Sequence, residues 1–126
     1  MPLGLVLIKW DNEIGPVLLM AAPPSFKPTD NLLTRVYSAH RYQSLAPGHT
    51  ILTLKSKKVV SFFSGMGENF VGVPNYVVAL VIRRDERTQT FLPWLEEKAK
   101  TVLENVKNEK YKKLLPKLYK EATKIS

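Results

Sequence analysis

The chain has 126 residues, a formal net charge of +8 and no cysteine. This length predicts one domain, residues 1–126, because a chain of this size buries roughly two thirds of its unfolded surface in a single core. The missing cysteines exclude disulfides, thiolate metal sites and cysteine nucleophiles. The apolar run at residues 3–8 is too short to cross a bilayer and lacks the features of a signal peptide. We therefore expect a cytoplasmic protein, peripheral association with a membrane included.

The chain opens with two predicted strands. Leu3 to Trp10 is apolar on both alternating faces, which is typical of a strand covered on both sides. Asp11 to Glu13 predicts a turn, so its two acids are interpreted as turn residues rather than as a site. Ile14 to Ala21 predicts the second strand. Because Pro16 cannot donate to a ladder, this strand belongs at a sheet edge.

A helix and a hairpin follow. Thr29 or Asp30 is expected to cap a helix that extends to about Ser44. Its predicted inner face consists of Leu33, Val36, Tyr37 and His40. His49 to Lys55 and Lys58 to Ser64 predict a hairpin around Ser56-Lys57, with a mixed outer arm and an apolar inner arm. Gly65 to Pro74 is interpreted as a glycine-rich loop.

The last third of the chain predicts one strand and two helices. Asn75 to Ile82 is again apolar on both faces, and a charged turn follows it. We expect Thr90 to cap a helix with an apolar face at helical spacing, which consists of Phe91, Trp94, Leu95, Val102, Leu103 and Val106. A final helix is predicted after residue 108, with Pro116 producing a kink or a restart.

These elements predict an α+β fold in the order β-β-α-β-β-β-α-α. The first and fifth strands, being apolar on both faces, are expected at the centre of the sheet. The second strand then lies outside the first, and the fourth and third lie outside the fifth. The predicted sheet is mostly antiparallel with the order 2-1-5-4-3, and its helices are divided between both faces.

The element order and three stretches resemble the longin domain, within the group that includes roadblock and profilin-like folds. The stretches are GLVLIKWDNEIGPVLL, LTLKSKKVVSFFSGMGENFVGVPNY and VVALVIRRDERTQTFLPWLEE. The resemblance covers nearly the whole chain. It implies a five-stranded antiparallel sheet with one helix on one face and two on the other.

The resemblance also implies a non-enzymatic binding platform. Its expected partners are a small GTPase, trafficking-type proteins, or another longin or roadblock subunit, a second copy of the chain included. Because the sequence ends at Ser126 without a heptad segment or a membrane anchor, we expect a free-standing adaptor rather than a membrane-fusion protein. Edge-strand docking would use the third strand and the outer side of the first helix. The candidate partner-binding residues are Arg35, Arg41, Tyr42, Thr53 and Lys55.

We expect no catalytic residue, cofactor or metal. The glycines from Gly65 to Gly72 match neither a P-loop nor G-x-G-x-x-G, and a strand follows them where a phosphate site needs a helix. Nothing groups His40 and His49 with further metal ligands. The carboxylate pairs Asp11/Glu13 and Asp85/Glu86 lie in predicted turns and are expected to point to solvent, whereas acid–base catalysis needs carboxyls facing each other across a cleft.

The basic C-terminal region supports a second hypothesis, binding to nucleic acid or to an anionic membrane. The competing interpretation is a solvated lysine-rich helix. The candidate basic patch consists of Lys107, Lys110, Lys112, Lys113 and Lys117.

Overall fold

The fold was described from a computed structural model, which covers residues 2–11, 13–43, 47–65 and 75–125, with the backbone alone at 41–43. Within these ranges the predicted element order β-β-α-β-β-β-α-α is confirmed. The elements are β1 (Gly4–Asp11), β2 (Gly15–Ala22), α1 (Asp30–Gln43), β3 (Gly48–Thr53), β4 (Lys57–Phe63), β5 (Tyr76–Arg83), α2 (Thr88–Glu104) and α3 (Tyr111–Ile125).

The five strands form one antiparallel sheet in the order β2-β1-β5-β4-β3, as predicted. The central pair is β1 and β5, in a regular register that places Val6 opposite Ala79 and Leu7 opposite Val78. Each of these four side chains is at most 1% exposed. The two strands with apolar residues on both faces therefore lie where both faces can be covered.

The helices divide the core into two clusters, one on each face of the sheet. On one face α1 packs through Leu33, Val36 and Tyr37 against Val6 and Val81, among others. On the other face α2 and α3 cover a second cluster, which contains Leu5, Leu7, Val78, Leu80, Leu95 and Leu115. The arrangement of one helix on one face and two on the other agrees with the predicted fold.

Most helix boundaries follow the sequence, but the start of α2 does not. The Thr29 hydroxyl accepts a hydrogen bond from the Leu32 N–H at 3.1 Å, which confirms the expected cap of α1. The expectation that Thr90 caps α2 is wrong. This helix begins at Thr88, and its N-cap is Arg87, which has an extended backbone and no side-chain cap. Thr88, the first residue of this helix, is itself buried.

Pro116 was expected to kink or restart the last helix. Instead α3 is assigned as one helix from Tyr111 to Ile125 with Pro116 inside it, so the restart is wrong. Tyr111, Leu115, Leu118 and Ala122 are all buried along one side of α3. Packing of this side against the sheet compensates for the backbone hydrogen bond that a proline cannot donate.

The turn between β1 and β2 confirms the expected turn role of Asp11. Asp11 Oδ1 accepts hydrogen bonds from the N–H groups of Glu13 at 2.8 Å and Ile14 at 3.1 Å. These two bonds lower the pKa of the Asp11 carboxyl, because they stabilise its charged form. Gly15 closes the turn at φ +89°, a conformation that glycine adopts without strain.

The central strand offers a test of the two-sided core. Replacing Leu80 by Ala should lower the free energy of unfolding by about 3 kcal/mol, because it leaves a cavity under α2. Leu80 is fully buried, whereas Leu18 on β2 is 37% exposed. The control Leu18→Ala should therefore cost about 1 kcal/mol or less. Urea unfolding measures both variants, and equal losses would contradict the assigned burial.

Candidate functional site

The strand β3 forms a regular sheet edge. It pairs with β4 over six residues, from Gly48 opposite Phe63 to Thr53 opposite Lys58, without a register shift. It contains no proline, and only β4 adjoins it in the sheet. A straight edge of this kind presents unpaired backbone N–H and C=O groups to a further strand.

The opposite edge, β2, is far less suited to accept a strand. Its register against β1 shifts between Leu7 and Ile8, which marks a bulge, and Pro16 lies near its start. Helices α1 and α3 pack against β2 from the two faces of the sheet. A bulge and a proline both interrupt the regular pattern that strand addition needs. The two edges of the sheet are thus unequal.

One face of β3 is uncovered. Leu52 packs into the α1 cluster, whereas Ile51 on the other face is 42% exposed and Thr53 is exposed beside it. His49, on the same face as Ile51, contacts Glu96 of α2, with 2.7 Å between Nδ1 and Oε1. This contact ties the start of β3 to α2 and leaves the rest of the face open. An exposed isoleucine on an open edge is a candidate contact for a partner.

The hairpin tip after β3 is held by Arg84, a cationic residue from the turn that follows β5. An Arg84 guanidinium N–H group donates to the carbonyls of Leu54 at 2.8 Å and Lys55 at 2.9 Å. Lys57 and Lys58 belong to β4, and Lys58 Nζ donates to the Glu86 carbonyl at 3.1 Å. Lys55 is exposed just after the end of β3, whereas Lys58, which pairs with Thr53, anchors the β5–α2 turn.

In the turn after β5, Asp85 and Glu86 were both expected to point to solvent, and Glu86 departs from this expectation. Glu86 does not point to solvent, because its Oε1 accepts a hydrogen bond from the Arg83 N–H at 2.8 Å. The Glu86 N–H in turn donates to the Arg83 carbonyl at 3.1 Å. Asp85 is exposed. Glu86 therefore closes the turn that leads into α2, as Asp11 does between β1 and β2.

The structure brings only part of the predicted partner-binding set to one place. Thr53 and Lys55 lie together at the end of β3, both exposed. Arg35 lies on the exposed side of α1, a helix that packs against β3 through its other side. The side chains of Arg41 and Tyr42 lie outside the described residues. Ile51, which the sequence analysis did not select, is the largest exposed apolar side chain on this edge.

A cleft of about 330 Å³ lies between the end of α2 and the first half of α3. It is lined by Thr101, Asn105, Lys110, Lys113, Leu114 and Lys117. The three lysines belong to the predicted basic patch, whereas Thr101, Asn105 and Leu114 were not predicted, since nothing in the sequence shows which part of α2 faces α3.

The turn between α2 and α3 fixes the walls of this cleft. Asn105 Nδ2 donates to the Thr101 carbonyl at 2.7 Å, and Asn108 Nδ2 donates to Asn105 Oδ1 at 3.2 Å. Asn108 Oδ1 accepts the Lys110 N–H at 2.9 Å, and the Tyr111 N–H donates to the Asn105 carbonyl at 3.2 Å. This network joins both helices through one turn and holds the backbone of Lys110 in position.

The structure divides the predicted basic patch. Lys110, Lys113 and Lys117 line the cleft, whereas Lys112 Nζ lies 3.1 Å from Glu109 Oε1 and is not part of its lining. This ion pair raises the pKa of Lys112, chiefly through its hydrogen bond to Glu109. Lys107 is exposed in the turn. In the described part of the chain no carboxylate lies within 4.0 Å of the three cleft ammonium groups.

His40 occupies a buried polar position under α1. Its Nε2 lies 2.8 Å from Ser61 Oγ, and both residues are at most 3% exposed. Burial, with a smaller contribution from His49, lowers the pKa of His40 to about 4. The neutral imidazole and the hydroxyl satisfy each other inside the apolar cluster. The packed, hydrogen-bonded role expected for His40 is confirmed.

Metal binding, phosphate binding and membrane spanning have less support in the described residues than the two surfaces above. Across 2–11, 13–43, 47–65 and 75–125, no group of three or more His, Asp or Glu side chains is placed to hold a metal ion. The glycine-rich stretch that was weighed as a phosphate loop lies outside the described residues, apart from Gly65. No helix in the described part of the chain has both the length and the apolar character to span a membrane.

No protein-family model and no curated protein matches this chain. The fold and the two surfaces, the β3 edge and the lysine cleft, are therefore the grounds on which a function can be argued.

The buried histidine predicts a specific pH dependence of stability. His40 has a pKa of 6.5 when unfolded and about 4 when folded, so between these values the unfolded state binds a proton that the folded state does not. Stability should therefore fall as the pH drops through this window, by about 3 kcal/mol in total.

Urea unfolding at several pH values measures this loss. His40→Gln should remove the corresponding part of the pH dependence, while the control His49→Gln, at a half-exposed position, should retain it. If both variants keep the wild-type dependence, His40 is not buried as a neutral imidazole.

Proposed function

We propose that this protein is a non-enzymatic protein–protein interaction module that docks its partner along the edge of β3. The observation that supports this most directly is the inequality of the two sheet edges. β3 is regular, uncovered on one face and exposes Ile51, whereas β2 has a bulge and a proline. A partner strand added to β3 would continue the sheet through backbone hydrogen bonds.

Side chains beside the edge would set the specificity of docking. A strand paired with β3 would place its own residues against Ile51 and Thr53 on the uncovered face. Lys55, at the end of the strand, would favour an acidic residue at that end of the partner. Arg35, on the exposed side of α1, is the predicted contact on the other face. Apolar contact at Ile51 with charge at the periphery is the usual composition of a small interface.

The class of partner comes from the longin resemblance, with which the observed strand order and helix arrangement are compatible. We propose a small GTPase, a trafficking-type protein, or another longin or roadblock subunit as the partner, in the cytoplasm. A second copy of this chain is the simplest case. Two antiparallel β3 strands related by a two-fold axis would form a closed dimer with a continuous sheet.

The edge hypothesis is tested by matched substitutions on the two edges. Ile51→Lys should weaken partner binding at least about tenfold, because it places a charge in the apolar part of the interface. Leu18→Lys on β2 is the control, since Leu18 has a similar exposure and gains the same charge. It should leave binding unchanged.

Sedimentation velocity over a range of concentrations measures self-association of the wild type and both variants. Affinity capture on the same three proteins then tests for a small GTPase or a roadblock-type subunit. A wild-type chain that neither self-associates nor retains such a protein would contradict the proposal. Equal binding by wild type and Ile51→Lys would place the interface elsewhere.

A further inference from the structure

We propose that α3 is an anionic-membrane docking face, in which the cleft between α2 and α3 receives the phosphate of an anionic lipid headgroup. This proposal concerns a surface separate from the β3 edge. The cleft and a lysine stripe together support it.

The stripe follows from the spacing of the lysines along α3. Lysines separated by three and four residues lie on the same side of a helix. Five exposed lysines follow this spacing, namely Lys110, Lys113, Lys117, Lys120 and Lys124. They extend for about 20 Å, given a rise of about 1.5 Å per residue. The buried side of α3 faces the sheet, so the stripe faces outward.

The stripe is not neutralised by the acids that lie near it. In the described part of the chain, Glu109 pairs with Lys112 at 3.1 Å, and Glu121 pairs with Lys98 at 3.7 Å. No carboxylate lies within 4.0 Å of a stripe ammonium group in that part of the chain. Five like charges in one line repel one another, and an anionic surface relieves that repulsion.

The composition of the stripe favours lipid headgroups over other anions. The aromatic residues of α3 are engaged elsewhere, since Tyr111 is buried and the Tyr119 hydroxyl donates to the Pro2 carbonyl at 2.8 Å. Proteins that bind single-stranded nucleic acid use exposed aromatic rings, and proteins that read base edges commonly use arginine. The stripe contains neither exposed aromatic residues nor arginine. Lysine is depleted from protein interfaces, which need apolar anchors. Lysine rows, in contrast, are typical of attraction to an anionic leaflet.

The cleft adds a defined position to this general attraction. Its volume of about 330 Å³ accommodates a small polar group, and three lysines line it together with Thr101 and Asn105. Leu114 on the cleft wall gives the lipid backbone an apolar contact. The asparagine network of the α2–α3 turn joins the two helices before a ligand arrives, which reduces the ordering of the backbone that binding requires.

Vesicle cosedimentation tests the docking face. The protein should bind vesicles of phosphatidylcholine with added phosphatidylglycerol, should not bind phosphatidylcholine alone, and should dissociate as salt is raised. Lys113→Gln with Lys117→Gln should weaken binding about twenty-five-fold, at about fivefold for each lysine. The matched control, Lys107→Gln with Lys112→Gln, removes the same charge outside the cleft and should change binding little. Circular dichroism verifies that both double variants fold.

Equal losses in the two double variants would reduce the effect to net charge and overturn the cleft assignment. Two further arms identify the source of the phosphate. Glycerol phosphate and inorganic phosphate are titrated separately while the amide NMR signals of residues 101–117 are followed. Glycerol phosphate should shift the cleft signals, and the Lys113/Lys117 variant should lose these shifts. Inorganic phosphate binding without vesicle binding would overturn membrane docking, as would tighter binding to duplex DNA or single-stranded RNA at the same salt.

Discussion

The pairing of β1 with β5 is the interaction on which the rest of the structure depends. These strands are buried on both faces, with Leu5, Leu7, Val78 and Leu80 toward one side and Val6, Ile8, Val77 and Ala79 toward the other. Exposure of either side would place a large apolar area in water. The chain must therefore supply helices to both faces. The remaining strands are positioned by their distance from this pair.

Three helices do not cover five strands equally. The open edge at β3, the candidate interaction site, is a consequence of this unequal cover. On the face with two helices, α3 packs against β1 and β2, while α2 packs against β4 and β5. The fifth strand in spatial order, β3, thus lies beyond the helices on that face, apart from the contact between His49 and Glu96. Exposure of Ile51 follows from this layout and needs no distortion of the strand. The helical cover that completes the core also determines which edge stays open.

The apolar pattern was sufficient to predict the fold because the pattern itself is a burial signal. Two-faced apolarity placed β1 and β5 at the centre, and the mixed pattern of β3 placed it at an edge. The details that the sequence did not show depend on tertiary contacts. The helix α2 starts at Thr88 rather than at Thr90, and Thr88 is buried after the β5–α2 turn. Thr101 joins the lysine cleft only because the asparagine turn brings α2 beside α3. The partner of His40, Ser61, is twenty-one residues away and was equally invisible.

The two proposed surfaces lie toward opposite edges of the sheet, and this arrangement gives them compatible roles. The Ile51 side chain and α3 are on the same face of the sheet, because Leu52 points to the α1 face. α3 covers β1 and β2, whereas β3 is the far edge of the same sheet, about 14–19 Å away at about 4.8 Å per strand. Docking through the α3 stripe would leave the backbone edge of β3, which is directed sideways in the plane of the sheet, free to pair with a further strand. Restriction to a surface also raises the local concentration of partners that share it, so a modest edge interaction becomes effective there. Lysine docking and strand addition would then cooperate without any change in the fold, because neither requires a contact that the other uses.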